Sequence, residues 1–423
     1  MRTLLKGGQV FQKGAFQAAD VAVRKGQVEE ISPVIPPRMG DRVLDFSHCY
    51  LVPGFVDVHV HLREPGFVYK ETIAAGTRAA ARGGYAAVCA MPNVRPAPDT
   101  LPNLRVQLEA IRKGARVPVF PYGSITMGQK GSGMLADFSG LAPYVCAFSD
   151  DGKGVQNEEL MHLAMLAVKK TGRLIAAHCE DESLLRGGYI HDGPYARAHG
   201  HAGICSESET AQVKRDLKLA AKTGCPYHVC HVSAKETVQA IREAKRAGID
   251  VTCETAPHYL LLTDADLQED GRFKMNPPIR EAADRDALIE GILDGTVDMI
   301  VTDHAPHSFE EKNKGLEGSL MGVVGLECAF RVLYDRLVRD QKVVSLEKLV
   351  ALMSLNPRKR FGIPGGLEAG RRADITVIDP QRKGVIDPDS FYSMGRATPF
   401  AGWETTGDTV MTMAGGDIVW MAK

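Results

Sequence analysis

The chain has 423 residues, of which 44% are hydrophobic and 24% are charged, and its formal net charge is −1 at pH 7. This composition is typical of globular proteins, and the balanced charge leaves no basic footprint for nucleic acid or a membrane surface. We expect no membrane span, because no apolar run approaches roughly 18 residues, and no signal peptide. The nine cysteines, an odd number without a Cys-x-x-Cys pair, indicate reduced thiols in a cytoplasmic protein.

The two ends of the chain have the same character, with short predicted strands separated by glycine and proline turns. The strands are expected at Thr3–Lys6, Ala19–Arg24, Gln27–Ile31 and Arg42–Asp45, and then within Gly370–Ile378, Thr409–Met413 and Asp417–Met421. We therefore predict one small composite β-sandwich domain, built from residues 1–52 and 365–423, with the rest of the chain inserted between its two parts.

Between these ends, short apolar runs rich in Val, Ile and aromatic residues alternate with helix-like stretches. The predicted strands are Phe55–Val60, Tyr85–Met91, Val117–Tyr122, Tyr144–Phe148, Leu174–Ala177, Tyr227–Cys230, Asp250–Thr255 and Asp298–Thr302. The predicted helices are Lys70–Arg82, Asn103–Lys113, Asn157–Thr171, Ser206–Thr223, Ala234–Ala247 and Arg285–Leu293. This α/β alternation, without a Gly-rich dinucleotide loop, favours a closed TIM-like (β/α)8 barrel over residues 53–364.

Histidine and aspartate residues stand at or just past the ends of several of these strands. They are His59, His61, Asp151, His178, His231 and Asp303. His59 and His61 are two residues apart, so on a strand their side chains point to the same face. A single strand-end histidine is more often a hydrogen-bonded residue than a ligand. Because the carboxyl ends of barrel strands share one rim, the whole set predicts a metal centre.

The spacing suggests two metal ions. His59 and His61 would bind one divalent ion, and His178 and His231 would bind a second from the ends of their own strands. Asp151 could bridge the two ions, since a carboxylate has two oxygens to share. A donor set of histidine and aspartate without cysteine suits catalytic zinc, so we predict Zn²⁺, two ions per chain.

Asp303 would bind one ion and keep an oxygen free for proton transfer. Two ions about 3.5–4 Å apart clamp a bridging hydroxide, which is a nucleophile for a carbonyl or amide carbon. Asp303 would accept its proton and deliver it to the leaving nitrogen, as the general acid/base.

Other rim residues suit an anionic group on the substrate. Arg63 follows the histidine pair by two residues, and its guanidinium matches a carboxylate bidentately. Asn93 and Asn276 each lie beside proline, so a turn role is as plausible for them as a binding role. His307 follows Asp303 by four residues. The charged and Gly-rich stretch 309–325 is either a mobile lid or a solvated loop.

Two motifs resemble the signatures of a known family. They are Asp57-Val58-His59-Val60-His61-Leu62-Arg63-Glu64-Pro65-Gly66, and Thr302-Asp303-His304-Ala305-Pro306-His307 with Lys312 five residues further on. They are similar to the motifs of dihydroorotases of the class I bacterial type, in the metal-dependent amidohydrolase superfamily, and the likeness covers essentially the whole chain. The resemblance implies a zinc hydrolase of pyrimidine (UMP) biosynthesis that interconverts N-carbamoyl-L-aspartate and L-dihydroorotate.

The resemblance also implies roles for individual residues. The metal ligands would be the six strand-end residues, with Asp303 as the acid/base. The substrate contacts would be His61, Arg63, Asn93, Asn276, His307, Met321 and Gly322, with Arg63, Asn93 and His307 on the carboxylate. Many relatives bridge their metals with a carbamylated lysine. Here Asp151 matches the variant that uses aspartate, and Lys153 is the weaker alternative.

Three other functions stay open. One is another cyclic amidohydrolase, such as a hydantoinase, dihydropyrimidinase or allantoinase. A second is an inactive dihydroorotase-like scaffold for aspartate transcarbamoylase, although such proteins tend to lose metal ligands. A third is a structural metal protein, which would not need the anion-binding residues. The resemblance further implies a homodimer acting on a small molecule, with association with aspartate transcarbamoylase as an additional prediction.

Overall fold

The computed structural model describes residues 1–423. Its strands are β1 (Arg2–Gln12), β2 (Ala15–Arg24), β3 (Gln27–Ser32), β4 (Arg42–Asp45), β5 (Tyr50–Pro53), β6 (Phe55–Val60), β7 (Tyr85–Ala90), β8 (Val119–Pro121), β9 (Ile175–Ala177), β10 (Ile190–His191), β11 (Gly203–Ile204), β12 (Tyr227–Val229), β13 (Val251–Thr255), β14 (Met299–Ile300), β15 (Ile375–Val385), β16 (Glu404–Ala414) and β17 (Asp417–Met421).

The helices alternate with the strands of the middle region. They are α1 (Ile73–Arg82), α2 (Leu101–Gly114), α3 (Phe138–Leu141), α4 (Glu158–Lys169), α5 (Pro194–His199), α6 (Glu207–Thr223), α7 (Lys235–Arg246), α8 (Pro257–Leu261), α9 (Ala282–Asp294), α10 (Phe309–Lys312), α11 (Gly315–Gly318), α12 (Ala329–Leu333), α13 (Leu346–Val350) and α14 (Asn356–Phe361). The chain is therefore an α/β protein, as the sequence predicts. None of its helices has the length and apolar composition needed to cross a membrane.

Strands from both ends of the chain share one hydrogen-bonded sheet. Its order is β17-β16-β15-β5-β1-β2-β3, and β4 also pairs with β1. The two ends meet where β15 runs antiparallel to β5, with Ile375 opposite Pro53. Buried side chains from both ends, including Val21, Leu51 and Val377, pack in one apolar cluster. The last residues of the chain are thus joined to the first by backbone hydrogen bonds and by a common core.

The middle of the chain supplies parallel strands in two ladders, β6-β7-β8 and β9-β12-β13-β14. Isolated parallel bridges lie at their edges: Phe148 bridges both Gly123 and Ile175, and Val60 bridges His304. Every residue of β6 and β7 is buried, as expected for strands covered on both faces. The carboxyl ends of β6, β7, β9, β12 and β14 lead to residues that the sequence singles out.

The predicted strand Tyr144–Phe148 is wrong as a regular strand. Tyr144 donates its backbone N–H to Leu141 in a turn after α3, so the chain becomes extended only near Phe148. Phe148 alone makes strand-like bridges there. The other predicted strands and helices are present, those of the middle region close to their predicted bounds, whereas β1, β15 and β16 extend five to seven residues beyond theirs. For example, α1 begins after Thr72, whose Oγ1 accepts the N–H of Ala75.

Candidate active site

All six predicted histidine and aspartate residues lie together at the carboxyl ends of the parallel strands. We call them the strand-end cluster: His59, His61, Asp151, His178, His231 and Asp303. Each one is buried. Two groups, His59 with His61 and Asp151, and Asp151 with His178 and His231, have their ligand atoms within 4.8 Å of one another. Asp151 belongs to both groups, which is the position that the sequence predicts for a shared carboxylate.

The backbone at this rim adopts an unusual conformation. The φ angles of Arg63, His231 and Asp303 are 61°, 33° and 47°, in the left-handed region that residues with a Cβ rarely occupy. Such strain concentrates at functional sites, where surrounding bonds must hold it. Beside Asp303, the buried Asp57 carboxylate accepts the N–H of Thr302 at 3.0 Å and its Oγ1–H at 2.6 Å. This carboxylate therefore anchors the turn that carries Asp303.

His59 is oriented by a carboxylate that the sequence analysis missed. Glu254 Oε1 lies 2.6 Å from His59 Nδ1, and its Oε2 lies 3.0 Å from His228 Nε2. Burial would raise the pKa of Glu254, but His59 and His228 outweigh it and lower the pKa to about 2. The ionised carboxylate accepts the Nδ1–H of His59, which leaves His59 Nε2 as the metal-facing nitrogen. That Nε2 is buried and has no hydrogen-bond partner.

The surroundings of His59 favour positive charge. Burial opposes protonation of the ring, but Asp151, Glu254 and Asp303 outweigh it and raise the pKa of His59 well above its usual value. A divalent cation among these carboxylates would supply the same charge. The unpartnered Nε2 and the excess of carboxylates therefore fit a metal ion.

His61 is held in a comparable way by Asn93. Asn93 Oδ1 lies 2.8 Å from His61 Nδ1, so the carbonyl oxygen accepts the Nδ1–H. His61 Nε2 then faces Asp303 Oδ1 at 3.1 Å and Asp151 Oδ2 at 3.5 Å. A ring lone pair and two carboxylates repel one another unless a cation lies among them. Asn93 thus orients His61 in addition to lining the pocket.

Asp151 lies between the two halves of the cluster. Its Oδ1 is 3.4 Å from His59 Nε2, 3.4 Å from His231 Nε2 and 3.7 Å from His178 Nδ1, and it has no hydrogen-bond partner. Burial would raise the pKa of Asp151, but the imidazoles, His59 first, lower it well below its usual value. Lys153 is exposed whereas Asp151 is buried, so Asp151 stays the predicted bridge and Lys153 the weaker alternative.

A pocket of about 220 Å³ opens at the strand-end cluster. Besides five members of the cluster, it is lined by Arg63, Asn93, Gly152, Asn276, Ala305, His307, Met321 and Gly322. Every predicted substrate-contacting residue therefore reaches the same space. A larger cavity of about 820 Å³ lies between the terminal sheet and residues 355–371, and none of the predicted site residues lines it.

The side chains of Arg63 and His307, both able to donate hydrogen bonds, lie next to each other on one wall of the pocket. Arg63 Nη2 lies 3.4 Å from His307 Nε2, and Arg63 Nε donates to the Pro306 carbonyl at 3.1 Å. Burial lowers the pKa of Arg63 to about 10, and Asp303 and Asp151 oppose that effect. The guanidinium is therefore still protonated at neutral pH. We call Arg63, Asn93 and His307 the carboxylate clamp, after the role that the sequence analysis predicts for them.

The segment after Asp303 is tied to the loop that carries Asn276. The buried ammonium of Lys312 donates to the carbonyl oxygens of Lys274 at 3.0 Å and Leu320 at 2.7 Å. Gly322 N also donates to the Lys274 carbonyl at 3.0 Å. Asn276 Oδ1 is buried and has no partner. The simple picture of 309–325 as a solvated loop is therefore wrong around Lys312; its motion as a lid stays a prediction.

Four residues of the site escaped sequence reasoning. Glu254 and Asp57 are charged residues inside buried strands. A charged residue in a buried strand needs a partner, so their positions alone could have marked them as part of the site. Lys70 gave no signal, because its contact with His307 joins loops that are distant in sequence. Glu311, four residues after His307, contacts the same ring and has no motif to mark it. Only the folded structure shows that they belong to the wall of the pocket.

Comparison with known proteins places the chain among cyclic amidohydrolases. A family model described as "Dihydro-orotase-like" matches residues 49–237. The chain is 47% identical to a dihydroorotase from Geobacillus sp. (strain WCH70), over 99% of both chains. It is 48% identical to a dihydroorotase from Bacillus caldolyticus, also over 99% of both chains.

Solved structures with the same fold come from neighbouring activities. The L-hydantoinase of Arthrobacter aurescens superimposes with a TM-score of 0.87 at 25% identity, over 98% of this chain and 95% of that one. The dihydropyrimidinase of Brevibacillus agri gives a TM-score of 0.86 at 23% identity, over 99% of this chain and 95% of that one. At this identity the second likeness concerns the fold alone.

Proposed function

Because the chain belongs to the dihydroorotase family of cyclic amidohydrolases, we propose that it interconverts L-dihydroorotate and N-carbamoyl-L-aspartate in pyrimidine biosynthesis. This reaction opens or closes a cyclic amide on a molecule that also carries a carboxylate outside the reacting group. A site for it needs a metal-assisted hydrolytic centre and, beside it, a binding place for that carboxylate.

The observation that carries this proposal is the carboxylate clamp beside the strand-end cluster. Arg63 Nη2 and His307 Nε2 lie only 3.4 Å apart on the pocket wall, so one carboxylate can accept from both. Asn93 uses its Oδ1 on His61, which leaves its amide N–H groups free to donate. The substrate carboxylate would therefore be bound by donors from three loops while the amide lies over the cluster.

We propose zinc as the metal, with two ions per chain. His59 and His61 would hold one ion, His178 and His231 the other, Asp151 both, and Asp303 one of them. The support is the donor set of imidazoles and carboxylates, together with the unpartnered His59 Nε2 and Asp151 Oδ1. When bound, zinc would polarise the amide carbonyl and lower the pKa of a water molecule to about 7.

Asp303 would move the proton. In the hydrolytic direction its carboxylate accepts a proton from the attacking water and passes it to the ring nitrogen as the C–N bond breaks; ring closure reverses these transfers. Burial would raise the pKa of Asp303, but His59 and His61 outweigh it and lower the pKa, so the carboxylate is ionised and ready to accept. Its Oδ1 faces His61, so we assign the proton to Oδ2.

We also propose the finer architecture that this chemistry needs. The parallel strands would close into a (β/α)8 barrel over residues 53–364, and residues 1–52 and 365–423 would form the composite β-sandwich domain. The bridges of Phe148 to both neighbouring ladders and of Val60 to His304 support closure. The sheet shared by both termini supports the composite domain.

A homodimer, a cytoplasmic location and association with aspartate transcarbamoylase stay predictions. All nine cysteines are free, which supports a reducing compartment. Light scattering of the purified chain, with and without a transcarbamoylase, would measure both assemblies.

A substrate panel tests the function against the hydantoinase-type alternative. Dihydrouracil has the ring of dihydroorotate without the carboxylate, and hydantoin is a smaller cyclic amide. We expect kcat/KM for dihydroorotate to exceed that for dihydrouracil by at least about a hundredfold, because the clamp would lose its partner. If kcat/KM for dihydrouracil or hydantoin equals or exceeds that for dihydroorotate, the hydantoinase-type function is favoured. No turnover of any substrate by zinc-loaded protein would favour the scaffold.

A further inference from the structure

Lys70 contacts His307 of the carboxylate clamp at Nδ1, the ring nitrogen opposite the one that faces Arg63. It lies between β6 and α1, is only 9% exposed, and reaches two residues of the segment after Asp303. Its Nζ is 3.1 Å from His307 Nδ1 and 2.9 Å from Glu311 Oε1. Glu311 Oε2 is 3.3 Å from the same His307 Nδ1. A cation and an anion thus compete for one ring nitrogen.

The two shorter contacts of the His307 ring, with Lys70 and with the Met321 carbonyl, select the same tautomer. The two longer contacts, Glu311 at 3.3 Å and Arg63 at 3.4 Å, would select the other. The ammonium of Lys70 can only donate, so the Nδ1 beside it must accept. The Met321 carbonyl, 2.9 Å from Nε2, can only accept, so Nε2 must carry the proton. Burial, followed by Arg63 and Lys70, lowers the pKa of His307 to about 3, so the ring is neutral. The expected form is the Nε2–H tautomer.

We propose that Lys70 is a positioning residue that fixes His307 as the Nε2–H tautomer, so that His307 donates rather than accepts on the pocket side. Nε2–H donates to the Met321 carbonyl and stands 3.4 Å from Arg63 Nη2, so a carboxylate bound beside Arg63 would share this N–H with that carbonyl. In this respect the inference rests on the proposed function, since that carboxylate belongs to the substrate. With the opposite tautomer, a ring lone pair would face the carboxylate and repel it.

Glu311 makes the proposal testable. In Lys70→Met, the carboxylate of Glu311 becomes the charged neighbour of Nδ1, and a carboxylate can only accept. The ring should then move its proton to Nδ1. In Lys70→Met/Glu311→Gln, the negative charge that draws the proton to Nδ1 is gone, so the Met321 carbonyl should restore the Nε2–H form. Lys70→Arg keeps a donor cation and should also retain it.

Nitrogen NMR reads the tautomer directly in substrate-free protein. With ¹⁵N-histidine labelling, the His307 signals are identified by their loss in His307→Gln. We expect a protonated, pyrrole-like Nε2 in the wild type and in the double variant, and a protonated Nδ1 in Lys70→Met. A protonated Nδ1 in the wild type, or an unchanged ring in Lys70→Met, would overturn the proposal.

Kinetics give the second readout. Lys70→Met should raise KM for dihydroorotate about ten- to a hundredfold and leave kcat nearly unchanged, while the double variant and Lys70→Arg should recover most of the loss. Lys113→Met is the matched control, because Lys113 pairs with Glu109 on the exposed face of α2. If Lys70 has only a structural role, Lys70→Met should lower the unfolding temperature and kcat without changing the tautomer of His307. An inactive wild type would count against the proposed function, whereas the NMR result would still decide the role of Lys70.

Discussion

The strand-end cluster and the carboxylate clamp share one pocket but are held in place by different means. Members of the cluster stand on or directly after parallel strands, and buried carboxylates such as Glu254 and Asp57 fix the rings and turns around them. Within the clamp, His307 is held by Lys70 and Glu311, and Arg63 by the Pro306 carbonyl. Asn93 links the clamp to His61 of the cluster. In the proposed function, the reacting centre is thus set by the sheet, and substrate recognition by loops.

This difference predicts different kinetic signatures for damage to the two halves. Loss of a cluster residue should remove chemistry or metal, because it acts on the reacting atoms. Loss of a clamp residue should mainly raise KM, because it acts on a group that does not react.

The largest effect is expected for Asp303→Asn. Asparagine cannot shuttle the proton, so kcat should fall by about a thousandfold or more, while the fold and most of the zinc are retained. Steady-state rates and zinc per chain measure both quantities, and Asp286→Asn, at an exposed position, is the control. A near-native rate in Asp303→Asn would remove the proton-transfer role.

The next effect tests the clamp. Arg63→Ala should raise KM for carbamoyl-aspartate and lower kcat/KM by about a hundredfold, since it removes a charged hydrogen bond to the carboxylate. The KM of Arg63→Lys should lie between those of the wild type and Arg63→Ala, because lysine keeps the positive charge but not the planar guanidinium. An unchanged KM in Arg63→Ala would show that the carboxylate binds elsewhere.

A smaller effect should follow from the support of the cluster. Glu254→Gln keeps an acceptor for His59 Nδ1–H but removes the negative charge, so zinc affinity should fall about ten- to a hundredfold. Competition with a chelator of known affinity measures this loss. If the variant binds zinc as tightly as the wild type, Glu254 serves packing alone.

The smallest effect concerns stability and Lys312. Burial lowers the pKa of Lys312 from 10.5 to about 7. Between these values the unfolded chain binds one proton more than the folded chain, so the contribution of Lys312 to the free energy of unfolding rises with pH from about 7 towards 10.5. Below about pH 7 both states are protonated and the contribution is constant.

Urea unfolding of the wild type and Lys312→Met at pH 7 and pH 9 measures this contribution. The stability of the wild type relative to the variant should increase between the two pH values. A constant difference would mean that the ammonium titrates normally despite its burial.

The same contrast explains what the sequence could predict. His59, His61 and Asp303 were predictable because parallel strands bring their carboxyl ends to one place whatever the loops do. Tyr144–Phe148 was wrongly predicted as a strand because it is an apolar run after Pro143. In the structure, its first residues belong to the turn that follows α3. Lys70 and Lys312 were not predictable as supports, since Lys70 contacts His307 and Lys312 contacts the Lys274 carbonyl, each on a loop that is distant in sequence.

The most direct test is dihydroorotate hydrolysis by the purified chain alone, with zinc per chain measured on the same sample. We expect turnover with one to two zinc ions per chain, loss of turnover on chelation, and recovery when zinc is returned. Zinc-loaded protein that hydrolyses no dihydroorotate, or full activity after zinc has been removed, would contradict this expectation.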